Sequence, residues 1–235
     1  MKGGGSSVSQ VSIKDSSRTA GTKDIILDAA EASFVERGYF GTSLRDITSR
    51  AGLQVALSYY HFGSKENLFR AVVERRAEEN ARGLEVALQQ ELVTEVCAAD
   101  KLQAILQAFL YPVVERSLNG DPGWKNYIRL MAQLAHVPQH ETYIQPVASR
   151  YDAVVAKFIV SLQQLFPQMA EEDVHWAFYF YQAAITHVLA ESGLIDRQSN
   201  GLCRAADLNR IVDKMSRFFT AGFLSLCPPA GASTE

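Results

Sequence analysis

Three glycines, Gly38, Gly52 and Gly63, cut residues 22–65 into helical segments too short to be stable alone. The first carries one apolar stripe: Ile26, Ala30 and Phe34 step by four, with Leu27 beside them. Gly38 is placed to stop it. The next starts at Thr42-Ser43, where Ser43 and Asp46 stand three apart as in a reciprocal cap, and Gly52 ends it. A third runs from Val55 to His61, and Ser64 is placed to cap a long helix reaching Val93. Two short helices joined at Ala51-Gly52-Leu53 have the spacing of a helix-turn-helix. Leu53 is expected to be buried past the turn, and the second helix is short enough for a DNA major groove.

The rest of the chain continues the helical period. Helices are expected over 99–118, 123–136, 140–166, 171–194 and 207–226, with a turn at Asn119-Gly120-Asp121-Pro122 and breaks at Pro138 and Pro167. No alternating pattern suggests strands. The fold class is therefore all-α, with about nine helices. Residues 1–21, rich in Gly and Ser, read as a disordered arm, and 228–235 as a disordered tail. Between them lie a head, 22–68, and a larger helical domain, 69–227.

Charge is unevenly spread. Residues 1–65 hold eight Lys or Arg against six acids, so they carry +2, whereas the whole chain is −3 and the remainder −5. A locally basic head on an acidic body suits DNA binding. No apolar run approaches the ~20 residues that span a bilayer, and no secretory leader is visible, so no membrane role and a cytoplasmic location are expected. Cys97, Cys203 and Cys227 have neither disulfide-framework nor zinc spacing and read as free thiols.

The stretch SYYHFGSKENLF puts two tyrosines and a histidine at the end of the third helix and Lys65 at the start of the fourth. Free N–H groups at a helix start, tyrosine hydroxyls and a lysine all suit phosphate. Residues 23–69, with AAEASFVERGYFGTSLRDI, the AGL turn and YYHFGSKENLF, resemble the DNA-binding domain of the TetR family without gaps. The resemblance implies a regulator, usually a repressor, that binds a near-palindromic double-stranded operator as a homodimer. It also implies release by a small-molecule inducer bound in the C-terminal domain. Position by position, it directs Thr42, Ser43 and Arg45 to the DNA backbone. It puts Gln54, Val55, Ala56 and Tyr59 on the recognition helix, and Tyr60, His61 and Lys65 at phosphates. The sequence departs from the family pattern at Gln54, where a Ser or Thr cap is usual, at Val55 and Leu57, often polar, and at Ser58, where an apolar residue usually packs.

In the C-terminal half, Trp124, Tyr127, Ile128, Met131 and Leu134 share a helix face, with Arg129 and Gln133 one turn apart. An apolar inducer pocket is expected, walled by Phe109, Trp124, Tyr127, Met131, Tyr143, Phe158, Trp176 and Tyr179. Arg129 and Gln133 would hold a carboxylate or carbonyl at one end. The favoured ligand is lipophilic or aromatic, an acyl chain or acyl-CoA being the alternative. The resemblance puts the dimer interface on the last two long helices, with Phe219 and Phe223 expected to face the partner. Glu171-Glu172-Asp173 reads as a helix start favoured by the dipole. His136 and His140 are separated by Pro138 and read as loop residues rather than a metal pair. No catalytic pair, zinc motif or phosphate loop supports an all-α enzyme, and no cofactor is expected.

Overall fold

The computed structural model describes residues 8–93, 95–137, 145–190 and 193–228, the side chains of 8–20, 145–148 and 150 excepted. The described residues form ten helices and no strand. The chain divides into two compact units, one up to Val73 and one from Glu74.

The first unit holds α1 (Val8–Arg37), α2 (Leu44–Arg50), α3 (Val55–Phe62) and the opening turns of α4 (Lys65–Leu92). Ile26, Ala30 and Phe34 are fully buried, as their spacing predicts. They meet Ile47 of α2 and Leu68, Phe69, Val72 and Val73 of α4, all without exposed surface, in this small unit's core. Phe34 and Tyr39 both pack against Phe69, with ring centroids 5.0 Å apart in each case. Gly52 adopts φ +66, a left-handed turn that side chains resist, so its place between α2 and α3 is conformational.

Two expectations are corrected here. The arm drawn over 1–21 is helical from Val8, as the first part of α1. Val8–Ala20 contains no glycine or proline, and extending an existing helix avoids the nucleation cost; residues 1–7 lie outside the described residues. Leu53 is half-buried rather than buried.

The second unit holds the rest of α4, α5 (Ala98–Asn119), α6 (Pro122–Leu134), α7 (Gln145–Leu165), α8 (Glu171–Leu189), α9 (Leu194–Gln198) and α10 (Leu208–Leu226). Helix α10 packs along α5 and α8, while α6 and α7 each touch α5 and α8. The helix expected over 171–194 stops at Leu189, and Gly193, at φ +71, turns the chain into the separate short α9. Residues 140–144 and 229–235 lie outside the described residues. At the centre, Phe109 meets Phe158 at 4.9 Å and Phe178 at 5.0 Å. Each such buried ring removes surface worth about 1.5–3 kcal/mol from water. Tyr181 lies among them, its hydroxyl donating to the Leu106 carbonyl at 2.7 Å, and burial pushes that phenol far above its ordinary range.

Candidate nucleic-acid interface

The start of α2 is rigidly built. Ser43 Oγ accepts from Asp46 N at 3.1 Å while Asp46 Oδ2 accepts from Ser43 N at 3.0 Å, a complete capping box. The Ser43 bonds hold the Asp46 carboxyl below the usual carboxylate range. Glu36 of α1 and Arg50 of α2 pair at 2.6 Å. Thr42 is buried and donates to the carbonyls of Ser33, at 3.1 Å, and Gly38, at 2.9 Å. Its hydroxyl therefore fixes the loop before α2 instead of reaching outward. Ser43 and Arg45 are exposed.

Helix α3 presents a clear outer face. Gln54, Val55, Ala56, Tyr59 and Tyr60 are exposed, whereas Ser58 and Phe62 are buried and Leu57 is half-buried. The departure at Ser58 is thus internal: its Oγ is fully enclosed and has no hydrogen-bond partner among the described residues. Gln54 occupies the cap position without a side-chain cap bond, which leaves its amide outward. Tyr60 is 78% exposed, and its ring meets half-buried His61 edge-on at 5.1 Å. Between α2 and α3 lies an open depression of about 630 Å³, bounded by Ser43, Arg45, Val55, Tyr59, Lys65 and Phe40. Phe40, highly exposed, is a member the sequence reading missed; an aromatic beside two glycine-flanked turns was the available signal.

Lys65 has a different place from the one expected. Its Nζ donates to the carbonyls of Tyr39, at 3.0 Å, and Thr42, at 3.1 Å, and lies 4.3 Å from the Tyr39 ring centroid. Two of its three donors are spent on the loop that precedes α2. It is therefore a positioning residue for that loop, with one donor left for phosphate. Lys65→Ala is expected to lower unfolding stability by about 1–3 kcal/mol, because two part-buried carbonyls lose a charged donor. Denaturant unfolding checks this. A variant of unchanged stability whose salt slope for DNA binding fell by about one would make Lys65 a phosphate ligand only.

In the second unit the expected pocket wall is split. Phe109, Tyr127 and Phe158 are core residues, and Met131, Arg129 and Gln133 are half-buried. Trp124 is buried, with two guanidinium groups against its ring, Arg76 at 4.9 Å and Arg116 at 4.7 Å. Trp176 and Tyr179 are corrected: they do not share an interior with the others but lie exposed on α8 beside exposed Phe180. Alternate faces of an all-round apolar helix look alike in sequence. Tyr143 and His140 lie outside the described residues. Arg129 Nε is buried with no hydrogen-bond partner among the described residues. The dimer residues are corrected as well. Phe223 is fully buried and Phe219 leans on Tyr181 at 5.0 Å, while Phe218 is 75% exposed. A second groove, about 590 Å³, opens among the end of α8, α9 and the start of α10. Among the described residues no group of three or more His, Cys, Asp or Glu gathers as a metal site, and no helix is long and apolar enough to cross a membrane.

A capped scaffold helix followed by a short helix with a polar and aromatic outer face defines a helix-turn-helix head, here joined to a helical body. The family model for bacterial regulatory proteins of the tetR family matches residues 26–72, and that for the tetracyclin repressor-like C-terminal domain matches 107–222. The chain belongs to the TetR family of transcriptional regulators, which are DNA-binding proteins and not enzymes. It is 32% identical over 117 residues to the biofilm operon icaADBC HTH-type negative transcriptional regulator IcaR of Staphylococcus epidermidis, a match spanning 50% of this chain and 55% of that one. It is 33% identical over 95 residues to the HTH-type transcriptional activator FasR of Mycolicibacterium smegmatis, spanning 40% and 41%. The chain thus spans about half the length of these curated relatives. A TetR-family regulator from Bordetella parapertussis shares the fold at TM-score 0.58 and 19% identity, covering 88% of this chain and 97% of that one. The SmeT–triclosan complex does so at TM-score 0.57 and 20% identity, covering 86% and 91%.

Proposed function

We propose that this chain is a cytoplasmic repressor that binds a near-palindromic double-stranded operator as a homodimer and is released by a small lipophilic or aromatic ligand. The observation that carries the DNA reading is the outer face of α3, where Gln54, Val55, Ala56, Tyr59 and Tyr60 stand exposed beside the rigid α2 start. Gln54 is the amide on that face, and an amide can bond adenine bidentately. Val55 and Ala56 suit thymine methyls, and Tyr60 and the Arg45 guanidinium suit phosphates. Repression is supported by the likeness to IcaR, described as a negative regulator. The inducer reading is supported by the ring cluster around Phe109 and Phe158, by Tyr127 and Met131, and by Arg129 and Gln133 as a polar end; SmeT, of the same fold, is described as a complex with triclosan.

The second copy is read onto α8 and α10. Trp176, Tyr179 and Phe180 of α8 and Phe218 of α10 stand exposed in the same unit, an apolar surface that water disfavours. Two heads are also needed to reach successive major grooves, ~34 Å apart.

The test uses duplexes selected by the protein from a random-sequence pool. Tyr60→Phe is expected to weaken all selected duplexes alike. Gln54→Ala is expected to lose discrimination at one base pair per half-site, about 5- to 150-fold, corresponding to ~1–3 kcal/mol. Fluorescence anisotropy across the selected and single-base-altered duplexes reads both. An unaltered profile for Gln54→Ala removes α3 from base reading.

A further inference from the structure

The face of α8 that carries the exposed aromatics is chemically polarised along its length. Its first turn is acidic, with Glu171, Glu172 and Asp173, the two glutamates fully outward. Its other end opens onto the groove of about 590 Å³, whose rim carries Arg204, Arg210, Lys214 and His187. Among the described lining residues the acid is Asp207, which accepts from Arg210 N as the cap of α10, and Asp196 lies beside them, accepting from Ala205 N at 2.9 Å. Its apolar lining comes from Val188, Leu194, Ile195, Leu202, Ile211 and Met215. Leu202 among these is 82% exposed. On its own helix the acidic turn meets His175, 3.9 Å from Glu171, and Trp176 Nε1, which donates to Glu172 at 3.3 Å, and these partners leave most of its negative charge unbalanced. The groove and the acidic turn lie about 22 Å apart along one helix.

A twofold interface makes residue i meet j and j meet i. If two copies of α8 lay parallel, the acidic turns would face each other and the basic rims would face each other, which costs free energy. Laid antiparallel, acid meets base at both ends. One register also fits the side chains between. With the axis between Tyr179 and Phe180, these two rings pair across it, the large Trp176 lies over the small Ala183, and Glu172 comes opposite His187.

We propose that the occupant of the groove is the first turn of α8 from a second copy of this chain. Each acidic turn sits on the partner's Arg204, Arg210 and Lys214 rim, in the register that pairs Glu172 with His187 and Trp176 with Ala183. This rests on the reading of α8 and α10 as the dimer face and adds its direction, register and charge specificity. The interface is then closed at two symmetry-related ends by ion pairs, and it selects a second copy over family relatives whose α8 ends are charged differently.

Two measurements test it. Arg210→Glu with Lys214→Glu is expected to raise the dimer dissociation constant at least about tenfold by sedimentation, because like charges then oppose across the interface. Adding Glu171→Lys and Glu172→Lys in the same chain is expected to recover most of that loss. All four residues are exposed, so circular dichroism should be unchanged. Second, in a chain with Cys97→Ser, Cys203→Ser and Cys227→Ser, Glu172→Cys combined with His187→Cys is expected to give a covalent dimer under mild oxidation, and neither change alone to do so. A wild type that dimerises normally, with no charge effect, no recovery and no cross-link, overturns the register while leaving the dimer face intact. A groove that takes up dodecanoate in the intact dimer also overturns it. A wild-type monomer at micromolar concentration overturns both.

Discussion

Phe218→Glu is expected to yield a folded monomer that binds operator about 10²–10⁴-fold more weakly than the wild type. The size follows from linkage: two heads joined in one dimer bind with an effective concentration that a lone head lacks. The fold survives because Phe218 is 75% exposed and the substitution removes little from the core. Phe223→Glu is the contrasting variant. That side chain is 1% exposed, so the carboxylate would be buried without a partner, a burden of about 3–5 kcal/mol. It is expected to unfold the second unit rather than split a dimer. Sedimentation and circular dichroism together separate the outcomes. A Phe218→Glu protein that remained dimeric would move the interface away from α10.

Trp124→Ala is expected to destabilise the second unit by about 3–5 kcal/mol, as large-to-small changes at buried aromatics do. For a unit of this size that corresponds to a fall in Tm of roughly 6–20 °C. The ring does more than fill space. Two guanidinium groups lie against it, at 4.9 and 4.7 Å from its centroid, and each of those is tied elsewhere. Arg76 bonds Asp121 at 2.9 and 3.2 Å, and Arg116 bonds the Asn80 side chain and the Glu79 carbonyl, both at 3.0 Å. Without the ring the two cations lose their shared apolar partner and face a cavity. The bond from Arg76 also lowers the Asp121 carboxyl below its usual range. Its folded value being depressed, that contribution is complete above the unfolded carboxylate value and disappears as pH falls through the folded one. Acid should therefore narrow the gap between wild type and Trp124→Ala. Calorimetry at neutral and acidic pH reads both effects, and a Tm change within about 2 °C at neutral pH would show that the clamp contributes little.

The head was readable because its signals are local. A capping box needs only Ser43 and Asp46, and a turn needs only Gly52. Both lie within a few residues of the structure they determine, and the fourfold spacing of Ile26, Ala30 and Phe34 is the burial pattern itself. What had no local signal was orientation decided at long range. Lys65 reads as a phosphate ligand because it follows a tyrosine pair, and its added bonds to carbonyls 23 and 26 residues upstream are invisible at that distance. Helix α8 is apolar on most sides, so no period distinguishes Phe178 and Tyr181, which are buried, from Trp176 and Tyr179, which are not. The same holds for Phe218, Phe219 and Phe223 on α10, where one residue of rotation separates core from surface. Nothing local in the sequence ties Arg76 and Arg116 to Trp124, although both guanidinium groups lie against its ring.

The bonds from Lys65 to the loop before α2 have a consequence for cooperativity. They close a circuit from the start of α4 back past α3, and Leu68, Phe69, Val72 and Val73 supply buried apolar area from the same turns. Helix α3 is therefore stabilised by residues that follow it, and during synthesis it is expected to stay uncommitted until those residues have been made. In hydrogen exchange, the amides of α2 and α3 and those of Leu68–Val73 are expected to form one opening unit with one shared free energy. A fragment that ended at Ser64 would contain every base-reading candidate and still lack the half of the core that holds them in place.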